Sequence, residues 1–308
     1  MGRRHLISLD DLDDDDLRWI VARGADYAAG SLDHVRPLHE AVVGVLFRKT
    51  STRTRTAFSA GALRLGGRLI TYGPGDLQEN TGETAADTGQ VLSGMLDVLV
   101  ARTVGEEAEL RAYAEQDRMA VVNAMSAGEH PTQALTDLTT LTRRFGVVDG
   151  LRVLYVGEGN NTASALALGL SRFAGTELHL RTPFDYGLAP DYLHRATIHA
   201  KAAGSRVDQR HDLLDLPEVD VVYTTRWQTT GSVKHTSDWR TAFAPFQVNS
   251  ALMDRFPGAL FLHDLPAHRG EEVTAEVLDG PASAAFEQAE NKYHSARAVL
   301  EWCTGGVR

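Results

Sequence analysis

Cysteine is nearly missing from this chain: Cys303 is the only one in 308 residues. A lone thiol excludes an intramolecular disulfide and a cysteine-built metal centre, and it fits a reducing compartment. No uninterrupted apolar stretch reaches membrane-spanning length. The start, Met1-Gly-Arg-Arg-His-Leu6, has no apolar run behind its basic residues, so it does not read as a signal peptide. Leu6 stands where a myristoylation signal at Gly2 needs Ser or Thr. Positive charge is also short. A net charge of −10 removes the electrostatic case for nucleic acid or an anionic membrane, while leaving room for a local basic site. A Gly-Lys-Ser/Thr phosphate loop is absent, and Gly157-Glu-Gly-Asn-Asn-Thr162 carries Thr162 where a dinucleotide fingerprint needs its third glycine. No metal-ligand spacing appears. The acidic run Asp10 to Asp16 lacks the glycine and glutamate of a calcium loop and reads as the start of a capped surface helix. The expectation is a cytoplasmic protein with no cofactor and no metal.

What is present is ordinary for a globular protein: 43% hydrophobic and 23% charged residues, and a length for one large domain or two of common size. Apolar runs predict strands at 41–47, 68–72, 97–101 and 120–124, with helical spacing at 53–65, 84–95, 105–116 and 131–145. The alternation resumes with strands at 151–156, 177–181, 219–224 and 259–263, a helix over 162–173 and a last one over 284–302. This pattern predicts an α/β fold of two doubly wound parallel-sheet domains joined by helices. The expected boundaries are 1–147 and 148–286, with the final helix, 287–308, packing back on the first domain.

One hexapeptide organises the rest. Ser51-Thr52-Arg53-Thr54-Arg55-Thr56 lies at the turn from the first strand into a helix. A helix start offers N–H groups without partners and positive dipole potential, hydroxyls add donors, and arginine forks fit phosphate oxygens. That combination points to a phosphate-like anion. The plainer reading is an N-cap at Ser51 or Thr52 followed by solvated arginines. Arg102 comes at the end of another predicted strand, and His130-Pro-Thr-Gln133 opens a helix, with Pro131 suited to its first turn. In an open α/β sheet ligands gather at the carboxyl ends of strands, so Arg53, Arg102 and His130 are expected to converge.

These motifs, in this order, resemble the aspartate/ornithine carbamoyltransferase family. That family has Ser-Thr-Arg-Thr-Arg, a later arginine after a strand, and His-Pro-Thr-Gln. Phe261-Leu-His-Asp-Leu-Pro266, Arg269-Gly-Glu-Glu-Val273 and Glu287-Gln-Ala-Glu-Asn-Lys292 are close to three further family motifs. The resemblance spans essentially the whole chain. It implies a first domain for carbamoyl phosphate and a second for an amine acceptor. Ser51, Thr52, Arg53 and Thr54 would hold the phosphate. Thr54, Arg102 and His130 would lie on the carbamoyl oxygen, with Gln133 at its amide nitrogen. Lys292 stands where ornithine enzymes often have Arg. The family is typically trimeric with sites shared by subunits, and Gln78 matches a glutamine that the ornithine branch supplies in trans.

The acceptor motifs are mixed. Asp264 and Leu265 occupy a motif in which ornithine enzymes have Cys at position 264. Thr225 replaces their Asp, and Thr229-Thr230 replace the Ser-Met of Ser-Met-Gly, ahead of Gly231. Thr225-Arg226-x-Gln228 instead resembles the aspartate branch, whose arginine and glutamine bind acceptor carboxylate. Asn160-Asn161 resembles the ornithine branch, whose asparagine meets the α-carboxylate. The expected acceptor therefore carries a carboxylate for Arg226 and an amine for Asp264, as ornithine or a shorter 2,3-diaminopropionate-like amino acid does. An aspartate-type acceptor is the alternative, as is a non-catalytic anion-binding paralogue. Asp264 has its own plainer reading, a salt bridge with Arg269 or His268.

Overall fold

The computed structural model describes residues 3–229, 234 and 237–305, so Gly2, Thr230 and Gly231 lie outside the described residues. Two compact units are present. The first is Met1–Arg143 with Glu290–Arg308, and the second is Arg144–Ala289.

The first unit begins with helix α1 (Asp14–Ala28). The acidic run supplies its cap: the Asp13 side chain accepts from Asp16 N at 2.7 Å, and Asp14, Asp15 and Asp16 fill the first turn, where carboxylates suit the dipole. Then follow β1 (Val42–Phe47), α2 (Arg53–Arg64), β2 (Arg68–Tyr72), α3 (Ala85–Leu92), β3 (Val98–Arg102), α4 (Glu107–Tyr113), β4 (Ala120–Asn123) and α5 (Pro131–Phe145). The four strands form a parallel sheet in the order β2-β1-β3-β4. β3 and β4 are buried along their length, which is why they read as unbroken apolar runs rather than as alternating ones.

The second unit holds β5 (Arg152–Val156), α6 (Asn161–Leu170), β6 (Glu177–Arg181), α7 (Pro190–Ala203), β7 (Arg206–Arg210) and β8 (Val221–Thr224). Three short helices, α8 (Trp239–Phe243), α9 (Ser250–Met253) and α10 (Ala275–Leu278), flank β9 (Leu260–His263). Its five strands are parallel in the order β7-β6-β5-β8-β9. α7 and β7 were not legible as apolar patterns. Helix α11 (Ala285–Cys303) ends the chain and belongs to the first unit from Glu290 onward. In both sheets the chain leaves the first strand to one side and then returns to the other. The switch point falls between β1 and β3 in the first unit and between β5 and β8 in the second. A parallel α/β sheet has its crevice at that place.

Candidate active site

In the first unit the switch point collects the predicted anion-binding residues. Arg102 is the last residue of β3, one position inside the strand rather than after it, and it pairs in register with Phe47 at the end of β1. Its Nη1 lies 3.5 Å from Ser51 Oγ. Thr52 occupies the cap position of α2 but makes no capping hydrogen bond with its side chain. Ser51 Oγ also accepts a long contact from Arg55 N, 3.4 Å. Thr52 is therefore not a side-chain cap, while Ser51 keeps a long bond to the first turn of the helix. Thr54 is buried, Arg53 half-buried, and Thr52 and Arg55 are exposed. Val104 (φ 61) and Met125 (φ 139) take left-handed backbone conformations just past β3 and β4. Strain of that kind gathers at functional sites.

His130 precedes α5 and is almost fully buried, with Thr132 Oγ1 3.3 Å from its Nδ1. Burial, and then the positive charges of Lys292 and Arg102, hold its pKa well below the usual imidazole range. That direction favours the neutral ring. Gln133 donates its Nε2–H to Asp137 at 2.6 Å, and its carbonyl accepts from the Lys292 ammonium. Lys292 thus meets Gln133, while Thr54, Thr132, Thr136 and Lys292 line one small cavity. Gln78 sits exposed at the start of a short 3-10 turn, Gln78–Thr81.

In the second unit the residues after β5, β8 and β9 come together. Asn160 caps α6: its Oδ1 accepts from Thr162 N (3.0 Å) and Ala163 N (3.2 Å), and its Nδ2 donates to Thr229 Oγ1 at 2.8 Å. The Asn160 amide is therefore committed to local structure, whereas Asn161 is the first residue of the helix and buried. Asp264 is held by two hydroxyls. Thr162 donates to Oδ2 and Thr225 to Oδ1, each at 2.9 Å. The basic neighbour of Asp264 is His263, whose Nδ1 lies 3.6 Å from Oδ1, rather than Arg269 or His268. Arg269 pairs with Asp279 at 2.6 Å and His268 lies 3.5 Å from Glu271, so neither meets Asp264. Leu265 follows in the left-handed region (φ 53), its N–H donating to His263 Nδ1 at 2.8 Å. Thr225 is buried, Arg226 half-buried and Gln228 exposed.

Sequence reasoning missed Thr162, Glu158 and Lys234. In the sequence Thr162 reads only as the residue that replaces a third glycine. The glycines beside it serve the backbone: Gly157 has φ 125, and a Cβ on Gly159 would lie 2.2 Å from Leu188 N. Lys234 pairs with Glu158, which also accepts from Thr229 Oγ1 at 3.2 Å. Burial pulls the Lys234 pKa down, with Glu158 opposing the shift. His268, Glu271 and Glu272 lie within 4.8 Å of one another, a grouping the sequence spacing did not announce. Glu272 already accepts from His263 Nε2 at 3.1 Å and from His268 N at 2.5 Å. Cys303 is buried, which pushes its thiol up to about 12 and makes it unreactive. No helix among the described residues is long and apolar enough to cross a membrane.

Comparison with known proteins gives the same picture over the whole chain. Residues 4–143 match the carbamoyl-phosphate-binding domain of aspartate/ornithine carbamoyltransferases, and residues 149–303 match the aspartate/ornithine-binding domain. The chain is 36% identical over 300 residues to an ornithine carbamoyltransferase of Bacillus subtilis, covering 97% of this chain and 93% of that one. It is 39% identical over 303 residues to one from Symbiobacterium thermophilum, covering 96% of each. The solved ornithine carbamoyltransferase of Pyrococcus furiosus superposes with a TM-score of 0.92 at 34% identity, over 100% of this chain and 99% of that one.

Proposed function

The chain belongs to the aspartate/ornithine carbamoyltransferase family, and from that premise we propose that it moves the carbamoyl group of carbamoyl phosphate onto the side-chain amine of a diamino acid. A C–N bond forms as the neutral amine attacks the carbamoyl carbon. The C–O bond to phosphate then breaks, and the departing phosphate takes the amine proton. The products are a ureido compound and phosphate.

The first unit carries the donor. Ser51, Thr52, Arg53 and Thr54, with the α2 N-terminus, hold the phosphate, a role supported by the Thr52 side chain making no cap bond and by Arg102 reaching Ser51. Negative charge builds on the carbamoyl oxygen, where Thr54, Arg102 and His130 donate. Each such donor in a preorganised site contributes on the order of 3 kcal/mol to the barrier. The tautomer of His130 in which the Thr132 hydroxyl donates to Nδ1 leaves the ring proton on Nε2 for that oxygen. Gln133, oriented by Asp137 and Lys292, accepts from the carbamoyl NH2. Gln78 reaches the phosphate of a neighbouring copy in a homotrimer, consistent with its exposure.

The second unit carries the acceptor. Asn161 and Arg226 take its carboxylate, with Thr225, Gln228 and Leu265 shaping the pocket. The observation that carries the acceptor assignment is the Thr225–Asp264 hydrogen bond. Ornithine enzymes have an Asp at the first of these positions and a Cys at the second. Here the two positions touch and the carboxylate has moved from one to the other. The pocket keeps one negative charge for the amine but presents it from the β9 side, clasped by Thr162 and Thr225. A displaced carboxylate asks for an amine at a different reach, and a 2,3-diaminopropionate-like acid fits that better than ornithine. Phosphate release from carbamoyl phosphate is measured with ornithine, 2,3-diaminopropionate, lysine, putrescine and aspartate, with mass detection of the product. A shorter diamino acid is expected to be the best acceptor. A wide margin for ornithine would sink the relocated-carboxylate reading and leave carbamoyl transfer standing.

A further inference from the structure

We propose that Lys234 and Glu158 are positioning residues for the acceptor: their ion pair sets the geometry of Thr229 and, through it, of the turn that carries Asn160 and Asn161. The inference rests on the reading that this turn meets the acceptor. Four side chains form one relay. Lys234 donates to Glu158 Oε1, Thr229 donates to Glu158 Oε2 at 3.2 Å, and Asn160 Nδ2 donates to Thr229 Oγ1 at 2.8 Å. Asn160 is at the same time the cap of α6. The chain between Glu158 and Asn160 has no slack, because Tyr155 OH donates to Glu158 O at 2.8 Å and Gly159 N donates to Tyr186 O at 2.8 Å.

Lys234 is not a surface lysine that happens to meet a carboxylate. Its side chain is 4% exposed, and its ammonium lies 4.9 Å from the ring centres of Tyr186 and Phe243 and 5.7 Å from that of Trp239. Aromatic faces hold a cation in place without supplying a hydrogen-bond acceptor, so the strong directional partner of Lys234 is Glu158. Desolvation makes this arrangement expensive unless the pair is intact. A pair buried this way, next to a pocket for a zwitterionic amino acid, fixes the dipoles that the acceptor's carboxylate reads.

The test is Lys234→Met in the full chain, with tryptophan fluorescence titrations by 2,3-diaminopropionate and by ornithine alongside steady-state kinetics. Trp227 and Trp239 report on the neighbourhood. The expected result is a loss of acceptor affinity, and a rise in acceptor KM, of about tenfold or more, with kcat and the carbamoyl-phosphate KM within about threefold of the parent. Lys234→Arg, which keeps the charge, restores most of the affinity. The double variant Lys234→Met with Glu158→Gln is no worse than Lys234→Met alone. Unchanged acceptor affinity in a folded Lys234→Met protein would overturn the proposal, and so would a parallel fall in kcat and both affinities. A parent enzyme that transfers nothing to any amine would count against the proposed function, while the binding titration would still decide the role of Lys234.

Discussion

Glu129 and His130 are sequence neighbours whose protons are pushed in opposite directions. Glu129 is fully buried, accepting from Ser8 Oγ at 2.6 Å and Leu9 N at 2.8 Å. Burial raises its pKa from 4.5 to about 8, against the pull of those two donors. A raised carboxyl pKa means the fold keeps a proton that the unfolded chain releases, so stability falls as pH rises from about 4.5 to 8. Glu129→Gln keeps an acceptor for Leu9 N and gives a donor for Ser8 Oγ. The variant is expected to unfold at higher temperature than the parent above pH 8, by an amount worth at most on the order of 5 kcal/mol, and to lose most of the advantage near pH 5. Equal melting curves across that range would show that the buried carboxyl is not titrating. His130 behaves in the reverse sense. Its lowered pKa predicts that the pH dependence of kcat shows no ionisation near 6.5, and a bell whose acid limb vanished in His130→Asn would contradict that. The sequence could offer His130 as a donor because its motif is local. It could not offer Thr162, Thr132 or Glu129 as partners, since each acquires its role only from what the fold lays against it.

Strand β7 and helix α7 explain most of what pattern reading missed. β7 is Arg-Val-Asp-Gln-Arg, an edge strand with no buried residue, so it has neither an apolar run nor an apolar face. Charge holds it instead. Register places His179 opposite Asp208 and Glu177 opposite Arg206. Asp208 accepts from His179 Nδ1 at 2.5 Å and from Arg181 Nη1 at 2.9 Å. Burial would raise the Asp208 pKa, but those partners bring it down to about 2. A depressed carboxyl contributes stability that is present above about 3.8 and is lost as pH falls towards 2. Asp208→Asn removes the carboxylate that His179 and Arg181 share, leaving them Glu177 and the Leu180 carbonyl, at a cost of about 1–3 kcal/mol, below that of breaking a fully buried pair. Thermal unfolding at pH 7 reads that cost. Strands such as β3 and β8 were legible because they are buried on both faces, where the sheet itself demands apolar side chains; β2, with no buried residue, was legible from its Leu-Ile-Thr-Tyr run alone.

The fold class was readable because strand and helix alternate twice. The division of the chain was expected at 147 and 286 with the last helix packing back on the first domain; the compact units part at 143 and 289, and α11 serves the first from Glu290 onward. Its residues Ala298, Val299, Leu300 and Trp302 are buried. Glu301, 2% exposed, accepts from Arg23 at 2.8 and 2.6 Å and from Tyr27 OH at 2.6 Å, tying the helix to α1. Asn291 donates to Thr140 Oγ1 at 3.0 Å and accepts from Arg143 at 2.8 Å, tying it to α5. Burying three large apolar side chains is worth roughly 1.5–3 kcal/mol each. That sum alone approaches the whole net stability of an ordinary domain, about 5–15 kcal/mol. The second unit, by contrast, is one continuous segment with its own sheet and core. A chain stopped at Ala289 is therefore expected to lose the first unit and keep the second. Limited proteolysis should degrade residues 1–143 while a fragment covering 144–289 resists, and circular dichroism should show one reduced cooperative transition. If the shortened chain protected both halves equally, α11 would be an appendage rather than part of the first unit's core. The segment of Lys292 that meets Gln133 would then owe its position to something other than this packing.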